Sequence, residues 1–314
     1  MTHARSRTLE GPYELHPLVH PIASPENKEE PLQRIGHGQF VETPEGDFYH
    51  TFLCSRPLPG TQRSPLGRES GIVKMTWHDD GWLYPEAMPP VAEDGFKEDS
   101  EEATFGNGLP GSFQWLRSPD KARLFSTEAR PGWLRLFGRE SVGSWFEQAL
   151  VARRQTGWRY SAETLLDFDP VDYQTQAGLI AYYNRYQFHY LYVSRDNAGD
   201  PVLGIQSCPG DWPEGRLELP LGAGVPVPEG PILLGVDVDL DVLQFRFATK
   251  DGEWQSIGPV LDASVLSDEG GRGEHACFTG AFVGMAAQDV SGRAHTADFS
   301  GFSYRNRRLP VSEK

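Results

Sequence analysis

Apolar and polar residues alternate along much of this chain. The clearest run is PILLGVDVDLDVLQFRFATKDGEWQSIG. Leu234, Val236, Val238 and Leu240 fall on one side of it, and Asp237, Asp239 and Asp241 on the other. Leu243, Phe245 and Phe247 then resume an apolar side. A period of two is that of a pleated strand with one buried face. It explains the acidic triplet as solvent-facing positions, the competing reading being a metal site. The Asp-Gly pair in KDGEW predicts a hairpin turn into a strand around Trp254 to Ile257.

Further strands are predicted from Leu134 to Arg139, Phe146 to Gln155, Tyr160 to Phe168 and Gln176 to Asn184. Others run from Phe188 to Arg195, Val202 to Ser207, Gly280 to Asp289 and His295 to Tyr304. Helical periodicity is nearly absent. About ten strands between turn signals imply a two-sheet antiparallel sandwich, because each sheet must bury one face.

The earlier part of the chain also reads as β. Gln39 to Glu42 and Phe48 to Leu53 flank a Pro-Glu-Gly turn, and Gly71 to Trp77 and Trp82 to Tyr84 flank an Asp-Asp-Gly turn. Hairpins at this spacing suit propeller blades of about 40–50 residues. The stretch before the sandwich holds roughly two blades, and a propeller needs at least about four to close. An incomplete propeller is therefore expected. Val91 to Gly108 is acidic and poor in large apolar residues, as a linker is. The predicted organisation is residues 1–95 as propeller blades, 96–108 as linker and 109–310 as sandwich.

Charge narrows the function classes. With 29 basic and 44 acidic residues the net charge is −15, which argues against nucleic acid and anionic membrane surfaces as partners. The opening residues show no apolar run of a secretory signal, and no stretch approaches the ~18 apolar residues of a membrane span. Cys54, Cys208 and Cys277 are scattered and form neither a disulfide framework nor a zinc motif. A cytoplasmic location is expected.

Several stretches together carry a resemblance. They are ARSRTLEGPYELHP, LQRIGHGQFVETPEGDFYHTFLCSRPL, SPLGRESGIVKMTWHDDGWL, PGWLRLFGRESVGSWFEQALVARRQ, AGLIAYYNRYQFHYLYVSRD, VLDASVLSDE and FTGAFVGMAAQDVSGRAHTADFSGFSYR. In this order, over nearly the whole chain, they resemble glycoside hydrolase family 43, in its β-xylosidase and α-L-arabinofuranosidase branch. The resemblance implies an all-β fold: incomplete β-propeller blades followed by a concanavalin A-like antiparallel β-sandwich of jelly-roll type. The stretch MTHARSR is similar to the interior strand that follows the family's general-acid segment. The three carboxylates of the family's inverting chemistry, an acid, a base and a modulator, are therefore expected to precede Thr2, with Met1 an internal methionine. No catalytic residue is assigned within the chain. Glu42, Glu69 and Glu140 read as turn, surface or structural groups.

Some of the family's site remains legible. Arg68 in SPLGRES matches the arginine that reaches the sugar subsite, where a planar fork of five donors suits hydroxyls and carboxylates. The competing reading is a surface arginine after a turn. Phe278 in CFTGAFVG matches a sandwich loop that offers an aromatic wall to sugar, the alternative being a core residue beside Phe282. His37 in IGHGQF matches a histidine near the propeller axis, where a metal ion or ordered water sits, the alternative being a buried, hydrogen-bonded histidine. Asp298 in HTADFSGF is an oxygen-ligand candidate for a structural calcium, against the reading of a turn-capping aspartate. No cofactor is required beyond that calcium.

The function expected is action on xylose- or arabinose-containing saccharides in hemicellulose breakdown. The alternative is a non-catalytic carbohydrate-binding or assembly sandwich, which would display aromatics on a concave sheet face. The partners implied are a xylo-oligosaccharide or arabinoside, and a homo-oligomer or a complementing N-terminal propeller polypeptide.

Overall fold

Where the sequence alternates, the chain is extended. The structure, a computed structural model, describes residues 2–18, 29–87, 91, 95–210, 216–249, 252–271 and 278–308. The Asp-Gly turn of KDGEW begins at Asp251 and, like Cys277, lies outside the described residues.

The first part holds β1 (Ala4–Arg5), β2 (Glu14–Leu15), β3 (Gln33–Glu42), β4 (Phe48–Ser55), β5 (Glu69–Trp77) and β6 (Leu83–Pro85). β1 and β2 pair with each other, and β3-β4-β5-β6 form an antiparallel four-stranded sheet, the strand count of one blade. Its apolar centre is small: Phe52, Cys54, Val73 and Met75 are buried against Leu32, Ile35, Phe48 and Leu83.

The second part opens with β7 (Ser100–Ala103), β8 (Phe113–Trp115), β9 (Phe125–Ser126), β10 (Leu134–Phe137) and β11 (Ala149–Arg154). It continues with β12 (Arg159–Asp167), β13 (Thr175–Asn184), β14 (Gln187–Arg195), β15 (Pro201–Pro209) and β16 (Val225–Pro226). The last strands are β17 (Ile232–Asp239), β18 (Val242–Thr249), β19 (Gln255–Asp262), β20 (Phe282–Asp289) and β21 (Thr296–Asn306). An eight-stranded sheet runs β19-β18-β17-β12-β21-β10-β9, with β7 also paired to β21. A seven-stranded sheet runs β16-β15-β14-β13-β20-β11-β8. Their facing sides enclose one apolar core, in which Tyr160, Leu179, Leu234, Phe245, Met285, Phe299 and Tyr304 are fully buried. This is the sandwich expected from the alternation.

On the outer side of the eight-stranded sheet, Asp237 and Asp239 meet arginines rather than a metal. Arg246 reaches Asp237 at 2.8 Å and Glu163 at 2.5 Å, and Arg159 reaches Asp239 at 2.6 Å. Leu240 departs from the strand pattern. It sits in the hairpin turn with φ of 59° and packs on Leu58, Leu66 and Trp158. It is apolar because the turn touches the blade portion, not because a strand continues. The segment read as linker also differs. Ser100–Ala103 pairs with β21, and Phe105 is fully buried in the sandwich core. A few large apolar residues suffice to anchor an otherwise acidic stretch.

Three histidines meet at the base of the blade sheet. The ring centroids of His3 and His50 lie 5.5 Å apart, and those of His3 and His16 lie 5.9 Å apart. His50 is fully buried, with neither ring nitrogen hydrogen-bonded. Burial, followed by the neighbouring His50 and His16, lowers the pKa of His3 from 6.5 to about 4; burial lowers that of His50 as well. Both pKa values lie below those of the unfolded chain. The stabilising effect of keeping these rings neutral is therefore complete above the unfolded value near 6.5 and is lost as pH falls toward about 4. Urea unfolding should show the blade part losing stability across this window. His50→Phe should flatten that dependence without loss of stability at neutral pH, because an apolar ring leaves no unpaired polar atom. An unchanged acid profile in His50→Phe would remove His50 from this account.

Candidate functional site

The blade portion meets the sandwich at two loops. One is Ser64–Arg68, ahead of β5; the other is Phe278–Ala281, ahead of β20. Gly67 and Gly280 both have positive φ, 72° and 81°. A Cβ on Gly67 would lie 2.3 Å from the Gly280 nitrogen, and one on Gly280 would lie 2.5 Å from the Leu66 oxygen. Only residues without a side chain allow this approach. The Ala281 N–H donates to the Pro65 oxygen at 2.7 Å, and the Arg154 guanidinium donates to the Leu66 and Thr279 oxygens.

Arg68 follows directly. Its guanidinium pairs with Asp268 at 2.8 Å and lies 3.8 Å from Glu269. Its Cζ also stands 5.0 Å from the centre of the Phe278 ring, within cation–π range. Asp268 further accepts from the Tyr183 hydroxyl and, at 3.0 Å, from the Phe278 backbone N–H. Glu269 is held by Arg34 at 2.9 Å and by the Ser64 backbone N–H at 2.8 Å. Burial raises the Glu269 pKa, with the Ser64 hydrogen bond and Arg34 pulling the other way. Arg63 adds a pair with Asp262 at 2.8 Å.

The structure thus brings Arg68 and Phe278 together across the two parts of the chain. Phe278 is 60% exposed, so it is not a core residue beside Phe282; its ring forms an open wall over the guanidinium. A planar cation under an exposed aromatic ring can hold a sugar by hydrogen bonds to its hydroxyls and contact with its C–H face. Neither Asp268 nor Glu269 is a free proton shuttle, since cations and N–H groups occupy both.

The other candidates lie elsewhere. His37 sits at φ 48° in a β3 irregularity and is exposed, not the buried histidine of the alternative reading. Asp298 accepts from Arg135 at both oxygens, each at 2.7 Å, and from Arg130 at 2.8 Å. Two guanidinium groups satisfy this carboxylate and lower its pKa against the opposing effect of burial. Cations on both oxygens do not fit a calcium ligand, and no group of three His, Cys, Asp or Glu among the described residues could hold a metal ion. Glu69 forms a two-bond pair with Arg56, at 2.7 and 2.9 Å, and Glu140 accepts from Ser144. Sequence reading missed Asp268, Glu269 and Tyr183. The signal was two adjacent carboxylates one residue after the apolar Val265 and Leu266.

No helix among the described residues is long and apolar enough to cross a membrane. Two family models match the chain: glycosyl hydrolases family 43 over residues 1–83, and the β-xylosidase C-terminal concanavalin A-like domain over residues 104–305. Xylosidase/arabinosidase 43B of Humicola insolens is 47% identical over 98% of this chain and 59% of its own length. The β-xylosidase of Bacillus subtilis is 35% identical over 98% of this chain and 60% of its own length. Among solved structures, xylan β-1,4-xylosidase from Bacillus halodurans superposes with a TM-score of 0.86 at 36% identity, covering 97% of this chain and 60% of that one. The chain thus spans about three fifths of the relatives it matches. With one model on the blade sheet, a second on the sandwich and the same two-part backbone in a solved xylosidase, the chain belongs to glycoside hydrolase family 43 and carries its β-xylosidase-type C-terminal concanavalin A-like domain.

Proposed function

We propose that this chain is part of a glycoside hydrolase acting on xylose- or arabinose-containing saccharides, with Arg68 and Phe278 contributing to its sugar subsite. The observation that carries the reading is the meeting of these two side chains across the junction, an exposed ring 5.0 Å from an arginine. Relatives named as xylosidases and arabinosidases support the substrate class. The reading assigns residues 1–95 to propeller blades and the chain from Ser100 onward to the sandwich. Buried, unpaired Cys54 and Cys208 support a reducing, cytoplasmic setting. Complementation tests it. The chain is combined with the portion of a relative that it does not match, and hydrolysis of aryl β-xylosides and aryl α-L-arabinofuranosides is measured. Turnover of either class is expected; an assembled complex active on neither would overturn the assignment.

A further inference from the structure

The outer side of the seven-stranded sheet carries its own apolar layer, separate from the sandwich core. Leu150, Ile180, Tyr182, Phe188 and Tyr190 are buried there. A cavity of about 240 Å³ opens on this side, lined by Trp115, Arg117, Tyr182, Asn184, Thr279 and Phe282 among others. Beside it the β13–β14 hairpin tip presents Arg185. The guanidinium of Arg185 lies within cation–π range of two roughly perpendicular aromatic rings, 2.9 Å from the Trp145 centroid and 4.1 Å from that of Tyr186. Trp145 and the neighbouring Phe146 are 57% and 74% exposed.

Arg185 differs from most arginines of this chain. Arg123, Arg130, Arg135, Arg153, Arg159 and Arg246 each meet a carboxylate. Arg185 is only 8% exposed, yet no carboxylate or carbonyl among the described residues accepts from it, and its Nε is buried without a partner. Burial, more than any neighbour, lowers its pKa; Tyr182 acts against this, and a second cation, Arg117, which donates to Gln148 at 3.2 Å, adds to it. A nearly buried cation with no counter-charge among the described residues, in a chain of net charge −15, is costly unless an anion completes it. The adjoining aromatic rings and apolar cavity supply flat surfaces for the C–H faces of a sugar. The cavity wall includes Thr279, next in the chain to Phe278, so this place adjoins the junction.

We propose that this cavity and the Trp145–Arg185–Tyr186 cluster form a second saccharide site, selective for a carboxylate-bearing sugar such as a uronic acid unit on a xylo-oligosaccharide. The guanidinium pairs with the carboxylate while Trp145 and the cavity cover the ring. The choice of a xylose backbone rests on the proposed function; the preference for an acidic sugar does not.

The experiment measures binding to the full chain by calorimetry and tryptophan fluorescence. The probes are methyl glucuronide, methyl xyloside, and xylotriose with and without a glucuronic acid branch. Each acidic probe should bind at least about tenfold tighter than its neutral counterpart. Arg185→Gln should abolish that preference while leaving the melting temperature within a degree or two. Trp145→Ala should weaken both acidic probes. Arg68→Lys should leave the preference intact. Equal binding of acidic and neutral probes, or a preference that survives Arg185→Gln, overturns the site. If methyl glucuronide is preferred in an Arg185-dependent way but the complemented protein hydrolyses neither xylosides nor arabinofuranosides, the acidic-sugar site stands and the proposed function falls.

Discussion

Arg68→Ala is expected to destabilise the protein by about 3–5 kcal/mol, the range for removing one partner of a buried ion pair. The pair is well shielded: the side chain of Arg68 is 14% exposed and that of Asp268 is 5% exposed, with 2.8 Å between them. Without Arg68, Asp268 keeps the Tyr183 hydroxyl and the Phe278 N–H but loses its only close cation among the described residues. Among the described residues, the charge of Glu269 is then balanced by Arg34. The double variant Arg68→Ala/Asp268→Asn should regain a large part of the loss, because it removes the stranded charge along with its partner. Urea unfolding of parent, both single variants and the double variant gives the coupling directly. Additive losses would mean that the two residues do not stabilise one another. Arg68→Lys should fall between, since an ammonium keeps the charge but cannot address Asp268 and Glu269 with one planar fork.

The second expectation concerns chemistry. Purified alone, the 314-residue chain should release no sugar from aryl β-xylosides or aryl α-L-arabinofuranosides above background. Inverting hydrolysis needs a carboxylic acid on one side of the scissile bond and a carboxylate on the other, about 6.5–9.5 Å apart. The two carboxylates placed at Arg68, those of Asp268 and Glu269, both approach one nitrogen of its guanidinium and are both taken up by cations and N–H groups. On the reading that the acid and the base belong to the portion of the relatives this chain does not match, one missing group costs about 10²–10⁴-fold in rate and two should leave nothing measurable. In the complemented enzyme, Arg68→Lys should lower kcat/KM about tenfold or more, as loss of a charge-assisted hydrogen bond worth about 1.5–3 kcal/mol requires. Steady-state kinetics on both substrate classes decide it. Robust turnover by the chain alone, abolished by changing a carboxylate within it, would overturn this expectation.

Much of the fold was legible because strands leave a period of two in the sequence. Tyr160, Ala162 and Leu166 of β12 alternate with half-exposed neighbours as the pattern requires. What a period cannot show is which strands pair. Nothing local in the sequence of β12 says that β21 and β17 flank it. Strands of two to four residues, such as β7, β9 and β16, are too short to display a period at all. The site was legible only in part, for the same reason. Resemblance brought Arg68 and Phe278 forward separately. Their common partner, Asp268, lies far along the chain from Arg68, and only the folded junction joins them. Leu240 shows the converse error: an apolar residue continued a pattern that the backbone had already left.

The backbone contact between Gly67 and Gly280 also bears on how this protein could be re-engineered. Each loop occupies space that a side chain on the other would need. The position of the Phe278 ring is therefore written in both halves of the chain. Transplanting a relative's sandwich onto these blades would carry over the ring but not the loop that seats it. The transferable unit is Ser64–Arg68 together with Phe278–Ala281, moved as a set. A hybrid built at the obvious seam between blades and sandwich would bring mismatched surfaces together where the two backbones have least room to adjust.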